Sequence, residues 1–406
     1  MRPRRSPAPS VLSPRGIRVL ATALCLLVLP VLIGLYAYVV YPLAVLVLAA
    51  GHPPGTMPTD PLEWPEITIT LPVYNEERVI RDRIENLLAL DYPPDRRHLL
   101  VLSDASTDRT DAIVGEYADR GVELVRLPVR AGKSAAENAA AGRLRGSIVV
   151  NADATTIIYP QSLKSLVRAF NDPTVGVASG RDVSVAAAAV EASGGESGYV
   201  GYEMWLRGLE TRAGGIVGAS GCFYGTRAAL YQGEFPLRLS RDFASALIAH
   251  EHGYRAISVD EALCGVPRVP VLQAEYRRKI RTMHRGLETL WYKRRLLNVF
   301  THGRFAVKLL SHKLARWLVY PAMIPASLGL VLLVLAWPPA IALLLLAISI
   351  LVLGLIALRW PAGRPLPRAL ALPGFLVATI LAGIVAWIET VLGGGDAIWE
   401  PTRRTT

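Results

Sequence analysis

Asp104, Asp153, Lys133 and Asp242 are the residues of this 406-residue chain whose surroundings suit chemistry. Asp104 and Asp153 each close a short apolar run, Leu99-Leu100-Val101-Leu102-Ser103 and Ser147-Ile148-Val149-Val150-Asn151-Ala152. Residues that follow the carboxyl ends of parallel strands line the crevice of an open α/β sheet, so these two carboxylates are candidates for one shared ligand site. The spacing Asn151-Ala152-Asp153 puts two oxygen ligands on one side of an extended chain. That suits a hard cation, Mg²⁺ or Mn²⁺, which takes carboxylate oxygen together with substrate phosphate. Lys133, in Arg130-Ala131-Gly132-Lys133-Ser134, follows a strand and a glycine and opens a helical stretch. There its charge opposes the helix dipole unless an anion such as a diphosphate is present, although the glycine spacing of a P-loop is missing. Asp242 opens a further helix and reads either as its cap or as a general base that deprotonates an acceptor hydroxyl.

Other motifs carry structural readings alongside functional ones. Asn75-Glu76-Glu77 has the form of a helix N-cap with acids in the first turn, and Asp108 with Asp111 looks like the cap of the next helix. The small residues Gly218 to Gly225 permit close approach of backbone to a ligand, or form a tight turn at a buried strand. Glu203, Arg207 and Glu210 fit an amphipathic helix with an internal salt bridge.

The elements that must position these residues alternate in type. Short β-branched runs at 67–71, 99–103, 122–127, 147–150 and 175–178 are separated by amphipathic helical patterns, the signature of one α/β domain with a mostly parallel sheet over about 65–272. The Ala-rich stretch 185–192 with Gly194-Gly195 reads as a flexible or loosely helical insert. From Val19 to Gly51 no residue is charged, and this run exceeds both the ~20 residues that span a bilayer and the core of a signal peptide. Three more apolar stretches, 317–337, 340–358 and 370–387, predict C-terminal spans. The basic, aromatic-rich 276–317 resembles helices lying along a membrane interface. Hydrophobic residues make up 52% of the chain and charged ones 19%, with a net charge of +11, which fits anionic partners. The three cysteines show neither disulfide nor zinc spacing, pointing mildly to a reducing compartment.

In their order, Pro72-Val73-Tyr74-Asn75-Glu76, Ser103-Asp104, Gly132-Lys133, Asn151-Ala152-Asp153, Gly218 to Gly225, Asp242 and Arg278-Lys279-Ile280-Arg281 resemble the membrane-embedded family 2 glycosyltransferases. That group includes hyaluronan, chitin, cellulose and poly-N-acetylglucosamine synthases, and the resemblance covers about 65–317. It implies a Rossmann-like, glycosyltransferase A-type catalytic domain over 60–275. Around it lie a basic tail and membrane segment at 1–51, interfacial helices at 276–316, and about three spans with a tail at 317–406. By this resemblance Tyr74, Glu76 and Asp104 hold the nucleotide base and ribose, and Lys133 lies near the diphosphate. Asp153 binds Mg²⁺ or Mn²⁺, and Asp242 is the base of an inverting transfer. Pro72, Asn151 and Gly221 belong with the substrate-binding residues, and Arg278 and Arg281 clamp the diphosphate. Glu203, Arg207 and Glu210 match a recurrent segment before the acceptor-side loop.

Three positions depart from the family pattern. Asn151 stands where aspartate is usual, and Arg241 replaces an acidic residue, which is expected to alter acceptor binding and act on Asp242. Thr282 and Arg278 replace the tryptophan and glutamine of the Q-x-x-R-W motif of polymerising members. The expected partners are a nucleotide-diphosphate sugar, a saccharide or lipid-linked acceptor and membrane lipid, with no nucleic acid. The expected activity is inverting sugar transfer, extending to export of a β-linked polysaccharide. One alternative is transfer of a single sugar to a polyprenyl phosphate or glycolipid; another is a non-catalytic scaffold. Cytosolic donors place the catalytic domain at the cytoplasmic face. Re-entrant bends at Pro30 and Pro373 would then bring the basic termini to that side.

Overall fold

The computed structural model describes residues 14–52, 58–185, 194–231, 233–267, 271–361 and 364–394. The insert expected at 185–192 and the C-terminal tail fall almost wholly outside them. Eight strands, β1 (Ile67–Val73), β2 (Arg97–Ser103), β3 (Val122–Arg126), β4 (Ile148–Ala152), β5 (Ile157–Ile158), β6 (Val175–Val185), β7 (Phe223–Arg227) and β8 (Arg255–Pro267), form one sheet. Their order is β3-β2-β1-β4-β7-β6-β8-β5. β1 runs parallel to both β2 and β4, and β2 to β3, whereas β7 is antiparallel to its neighbours β4 and β6.

The two faces of the sheet are both covered, which is why the strands read as unbroken apolar runs. In β2, Leu99 and Val101 join the core on one face while Leu100 and Leu102 pack with Val125, Ala136 and Ala140 on the other. The chain winds outward through β1, β2 and β3, then returns to place β4 on the opposite side of β1. That reversal opens a crevice beyond the carboxyl ends of β1 and β4, the place where open α/β sheets bind ligands.

Among the described residues, four helices are long and apolar enough to cross a membrane: Pro14–Ala50, Val299–Ala336, Pro338–Leu358 and Arg368–Leu392. The expected re-entrant bends do not form. The first helix runs through Pro30 with a π-helical stretch at Tyr36–Val40, and the last runs through Pro373. A proline removes one intrahelical hydrogen bond, and apolar helices with packed neighbours tolerate that loss. Ala23 of the first helix packs with Leu333 of the second. Before Val299, the helix Leu272–Tyr292 lies against the helix Arg241–Glu251 and the last apolar helix.

Candidate active site

The loop after β1 is built by long-range hydrogen bonds rather than by a helix cap. Asn75 is left-handed, with φ of 53°, and the helix starts only at Ile80. Its Oδ1 accepts the Thr107 N–H at 2.8 Å, and Asp108 accepts the Glu77 N–H at 3.1 Å besides that of Thr110 at 2.9 Å. The expected cap at Asn75 is therefore a cross-link between the loops that follow β1 and β2. It leaves Tyr74 half-buried with the Arg130 guanidinium 3.9 Å above its ring, an aromatic and cationic platform of the kind that stacks on a nucleobase. Pro72 is buried inside β1 beside Leu102 and supports the strand.

Asp104 is buried, and its carboxylate accepts the backbone N–H groups of Ala131 at 2.7 Å and Gly132 at 2.9 Å. It therefore fixes the loop that carries Lys133. Gly132 has φ of 92°, a conformation that a side chain would strain, and it turns the chain directly into the helix Lys133–Ala139. Burial disfavours the Lys133 charge, but the carboxylates of Glu137, Asp153 and Asp242 face it and hold its pKa above the ordinary lysine value. One ammonium thus stands before both aspartates.

Asp153 leaves β4 half-buried. Its N–H donates to the Cys222 carbonyl at 3.1 Å and its Oδ1 accepts both the N–H and the hydroxyl of Thr155 at 2.9 Å. Arg83, buried behind it, donates to the Ala154 carbonyl at 3.0 Å, and burial holds its pKa down against the opposing pull of Asp82, Glu76 and Asp153. Asn151 does not stand beside Asp153 as a second ligand. It is buried between strands, its Oδ1 accepting from the Thr70 hydroxyl at 3.0 Å. Among the described residues no group of three His, Cys, Asp or Glu side chains could hold a metal. A cation bound through one carboxylate plus substrate phosphates, as Mg²⁺ commonly is, still fits Asp153.

Ser240 stands at the N-cap position of the helix Arg241–Glu251, and its hydroxyl donates to Asp242 Oδ1 instead of capping a backbone N–H. Asp242 Oδ2 lies against Gly221, where a Cβ would approach it to 2.6 Å. Since Gly221 adjoins Cys222, the small-residue segment joins Asp153 to Asp242. Arg241 turns away from this centre. It is buried, pairs with Glu137 at 3.2 Å and lies 4.6 Å from the ring centres of Tyr231 and Phe235. Arg241 thus stands in an ion pair with Glu137, the carboxylate that also faces Lys133.

Of the predicted clamp, Arg278 is held bidentate by Glu275 at 2.8 Å within its own helix. Arg285, two turns on, reaches the site. It donates to Ser134 Oγ at 2.8 Å and to the carbonyls of Leu237 and Leu239 at 3.1 and 2.7 Å. Burial lowers its pKa, opposed by Asp242, Glu137 and Glu288. Positions 278, 281 and 285 share one face of that helix, so Arg285 lies in line with the two arginines of the expected clamp.

The segment carrying Glu203, Arg207 and Glu210 forms the expected internal pair, Arg207 Nε to Glu203 Oε1 at 3.1 Å, within the helix Gly194–Arg212. It also binds the second apolar helix: His312 joins Glu203 at 3.0 Å and Glu210 at 2.7 Å, and Arg316 donates to Glu203 at 2.7 Å. Tyr41 of the first apolar helix donates to Glu210. These contacts tie the α/β domain to the two helices.

Asp153, Lys133 and Asp242 thus converge on the crevice at the reversal of a mixed α/β sheet. Residues 68–228 match the family model described as glycosyl transferase family 2. An N-acetylglucosaminyltransferase of Mesorhizobium japonicum is 33% identical over 169 residues, 40% of this chain and 37% of that protein. A beta-monoglucosyldiacylglycerol synthase of Synechocystis sp. is 35% identical over 117 residues, 28% of this chain and 24% of that protein. The hyaluronan synthase of Streptococcus pyogenes is 32% identical over 124 residues, 28% of this chain and 29% of that protein. The chain thus spans well under half the length of these curated relatives. The fold is shared with the mannosyltransferase PcManGT of Pyrobaculum calidifontis, solved with GDP-Man and Mn²⁺, at a TM-score of 0.71 and 23% identity over 92% of this chain and 99% of that one.

Proposed function

We propose that this chain is an inverting, metal-dependent membrane hexosyltransferase that moves a sugar from a nucleotide-diphosphate donor to a saccharide or lipid-linked acceptor. The observation that carries the reading is the meeting of two carboxylates on one crevice: Asp153 is tied to the Cys222 carbonyl at 3.1 Å, and Asp242 packs against the adjoining Gly221. The Tyr74–Arg130 stack takes the base, with Glu76 at the same loop, and Lys133 receives the donor diphosphate. Asp242 accepts the proton of the acceptor hydroxyl as that oxygen bonds to the anomeric carbon. The bond from that carbon to the diphosphate breaks, and the nucleoside diphosphate leaves with the electron pair. A single displacement inverts the configuration, so an α-linked donor gives a β-linked product. Mg²⁺ or Mn²⁺, held by Asp153 and the diphosphate, would neutralise charge on the leaving group.

The catalytic domain is placed at the cytoplasmic face of the cell membrane, where nucleotide sugars are made. Two crossings then return the basic 359–368 loop to the same face, as the positive-inside rule prefers. Membranes containing the chain, incubated with radiolabelled nucleotide sugars in Mn²⁺, Mg²⁺ or chelator, test the function. Metal-dependent transfer is expected, and sizing the product separates polymer from single addition. Failure of every donor to bind would overturn the enzyme in favour of a scaffold. Single addition has the support of Arg278, which Glu275 holds, and of the absent Gln and Trp of the polymerising motif.

A further inference from the structure

The helix that carries Asp242 lies along the second apolar helix. Phe243, Leu247 and His250 stand at i, i+4 and i+7 on one side of the helix Arg241–Glu251. Phe243 meets Trp317 edge to face, with ring centres 6.0 Å apart and 90° between the planes. Leu247 shares a buried cluster with Leu309, and His250 stacks on Phe305 with ring centres 3.8 Å apart and 7° between the planes. The two helices therefore run antiparallel, and the end that holds the base faces Trp317. Between Phe305 and Trp317 an unbroken α-helix would turn roughly 120° past three full turns. The π-helical stretch Leu310–Ala315 lies between them. Its wider turns take up that excess and keep both rings on the side that faces the helix of Asp242.

Trp317 is wedged in place. A Cβ on Gly286 would lie 2.8 Å from its Cη2 and 3.0 Å from its Cζ2, so the indole rests directly on the helix Leu272–Tyr292, one residue from Arg285. From the last apolar helix, the Trp387 indole N–H donates to the Trp317 carbonyl at 2.9 Å. Phe243 is buried, and it is backed by the small-residue segment, where a Cβ on Gly218 would lie 3.1 Å from Phe243 Cδ2. That segment also holds the neighbouring aspartate: the Ala219 N–H donates to the Asp242 carbonyl at 3.4 Å, and Gly221 lies against its carboxylate. Phe243 is thus gripped between a loop of the crevice and an indole of the second apolar helix. Contacts packed this closely transmit a displacement instead of absorbing it.

We propose that Trp317 is a positioning residue for Asp242: acting through Phe243, its indole sets where the carboxylate of the base stands. This role rests on the transferase reading above and goes beyond it, because it makes the second apolar helix a working part of the active site. Trp317 acts through packing alone and takes no part in the bonds that form and break.

The test uses the full chain in detergent, with nucleoside diphosphate binding and thermal melting measured beside turnover. Trp317→Leu removes the wedge and is expected to lower kcat about tenfold to a hundredfold, with the Kd for nucleoside diphosphate within about threefold of wild type. Gly286→Ala, on the opposing helix, pushes the indole off its seat and should lower kcat by a similar factor. In the Trp317→Leu background, Gly286→Ala should cost nothing further, because the shorter side chain leaves the space that the added methyl group needs. Trp317→Phe keeps a ring against Phe243 and should recover most of the rate. Wild-type kcat in Trp317→Leu, or a loss seen only in melting or in nucleotide binding, overturns the role. A wild-type chain that neither binds nucleoside diphosphate nor transfers a sugar overturns the transferase reading itself, and this role with it.

Discussion

Asp242 occupies the space that any side chain on Gly221 would need: a Cβ built there lies 2.6 Å from Asp242 Oδ2. The contact fixes the carboxylate from one side while the Ser240 hydroxyl holds it from the other. Gly221→Ala must therefore displace the carboxylate or the backbone. A shift of about 1 Å at a reacting group costs roughly 10²-fold in rate. The variant is expected to retain wild-type melting within a few degrees and nucleotide binding while losing about that factor in kcat. Unchanged turnover would separate Asp242 from the chemistry.

The two aspartates facing Lys133 should fail differently. Asp242→Asn removes a proton acceptor and is expected to lower kcat by roughly 10²–10⁴-fold, leaving donor affinity close to wild type. Asp153→Ala is expected to abolish stimulation by Mn²⁺ or Mg²⁺ and to weaken donor binding measured calorimetrically with metal present. Equal losses of donor binding in both variants would contradict the division of roles.

The placement of Asp104 and Asp153 was legible because each follows the carboxyl end of a strand. The apolar runs before Asp104 and Asp153 are buried on both faces, a local pattern that survives folding. What escaped the sequence lies in long-range pairing. Asn75 has the composition of a helix cap, but its side chain finds Thr107 on the next loop, so the helix begins five residues later. Arg241 sits beside Asp242 in sequence, yet the helix turns it to Glu137. Arg285 looks like one more solvated cation until its partner, Ser134, is brought 151 positions back along the chain.

The clamp between the α/β domain and the apolar helices should be acid-resistant and intolerant of charge loss. Burial raises the pKa of Glu203, but His312, Arg207 and Lys313 outweigh it and hold the group well below the ordinary 4.5. A carboxyl whose folded pKa is depressed contributes its full stability above the unfolded value, and that contribution is lost only as pH falls from there through the folded value. Stability contributed by this group is thus expected to be flat above about pH 4.5 and to decline below it. Glu203→Gln leaves buried cations uncompensated and is expected to cost about 3–5 kcal/mol. Thermal unfolding of the detergent-solubilised chain at pH 7 and pH 4 measures both effects; a variant as stable as wild type at pH 7 would show that the clamp contributes little.

Arg285 is a positioning residue, and its contacts say what it positions. One nitrogen, Nη2, serves Ser134 beside Lys133 and the carbonyls of Leu237 and Leu239 just before Ser240 and Asp242. The guanidinium thus spans the diphosphate side and the base side of the crevice from a third element, the helix Leu272–Tyr292. Arg285→Ala frees the 237–240 segment, and the expected result is a fall in kcat of about tenfold to a hundredfold with a much smaller change in donor KM. Lysine at this position retains the charge but lacks the guanidinium fork, so Arg285→Lys is expected to recover only part of the rate. A loss confined to donor KM would instead make Arg285 a direct ligand of the diphosphate, and a loss confined to thermal stability would make it a structural tie.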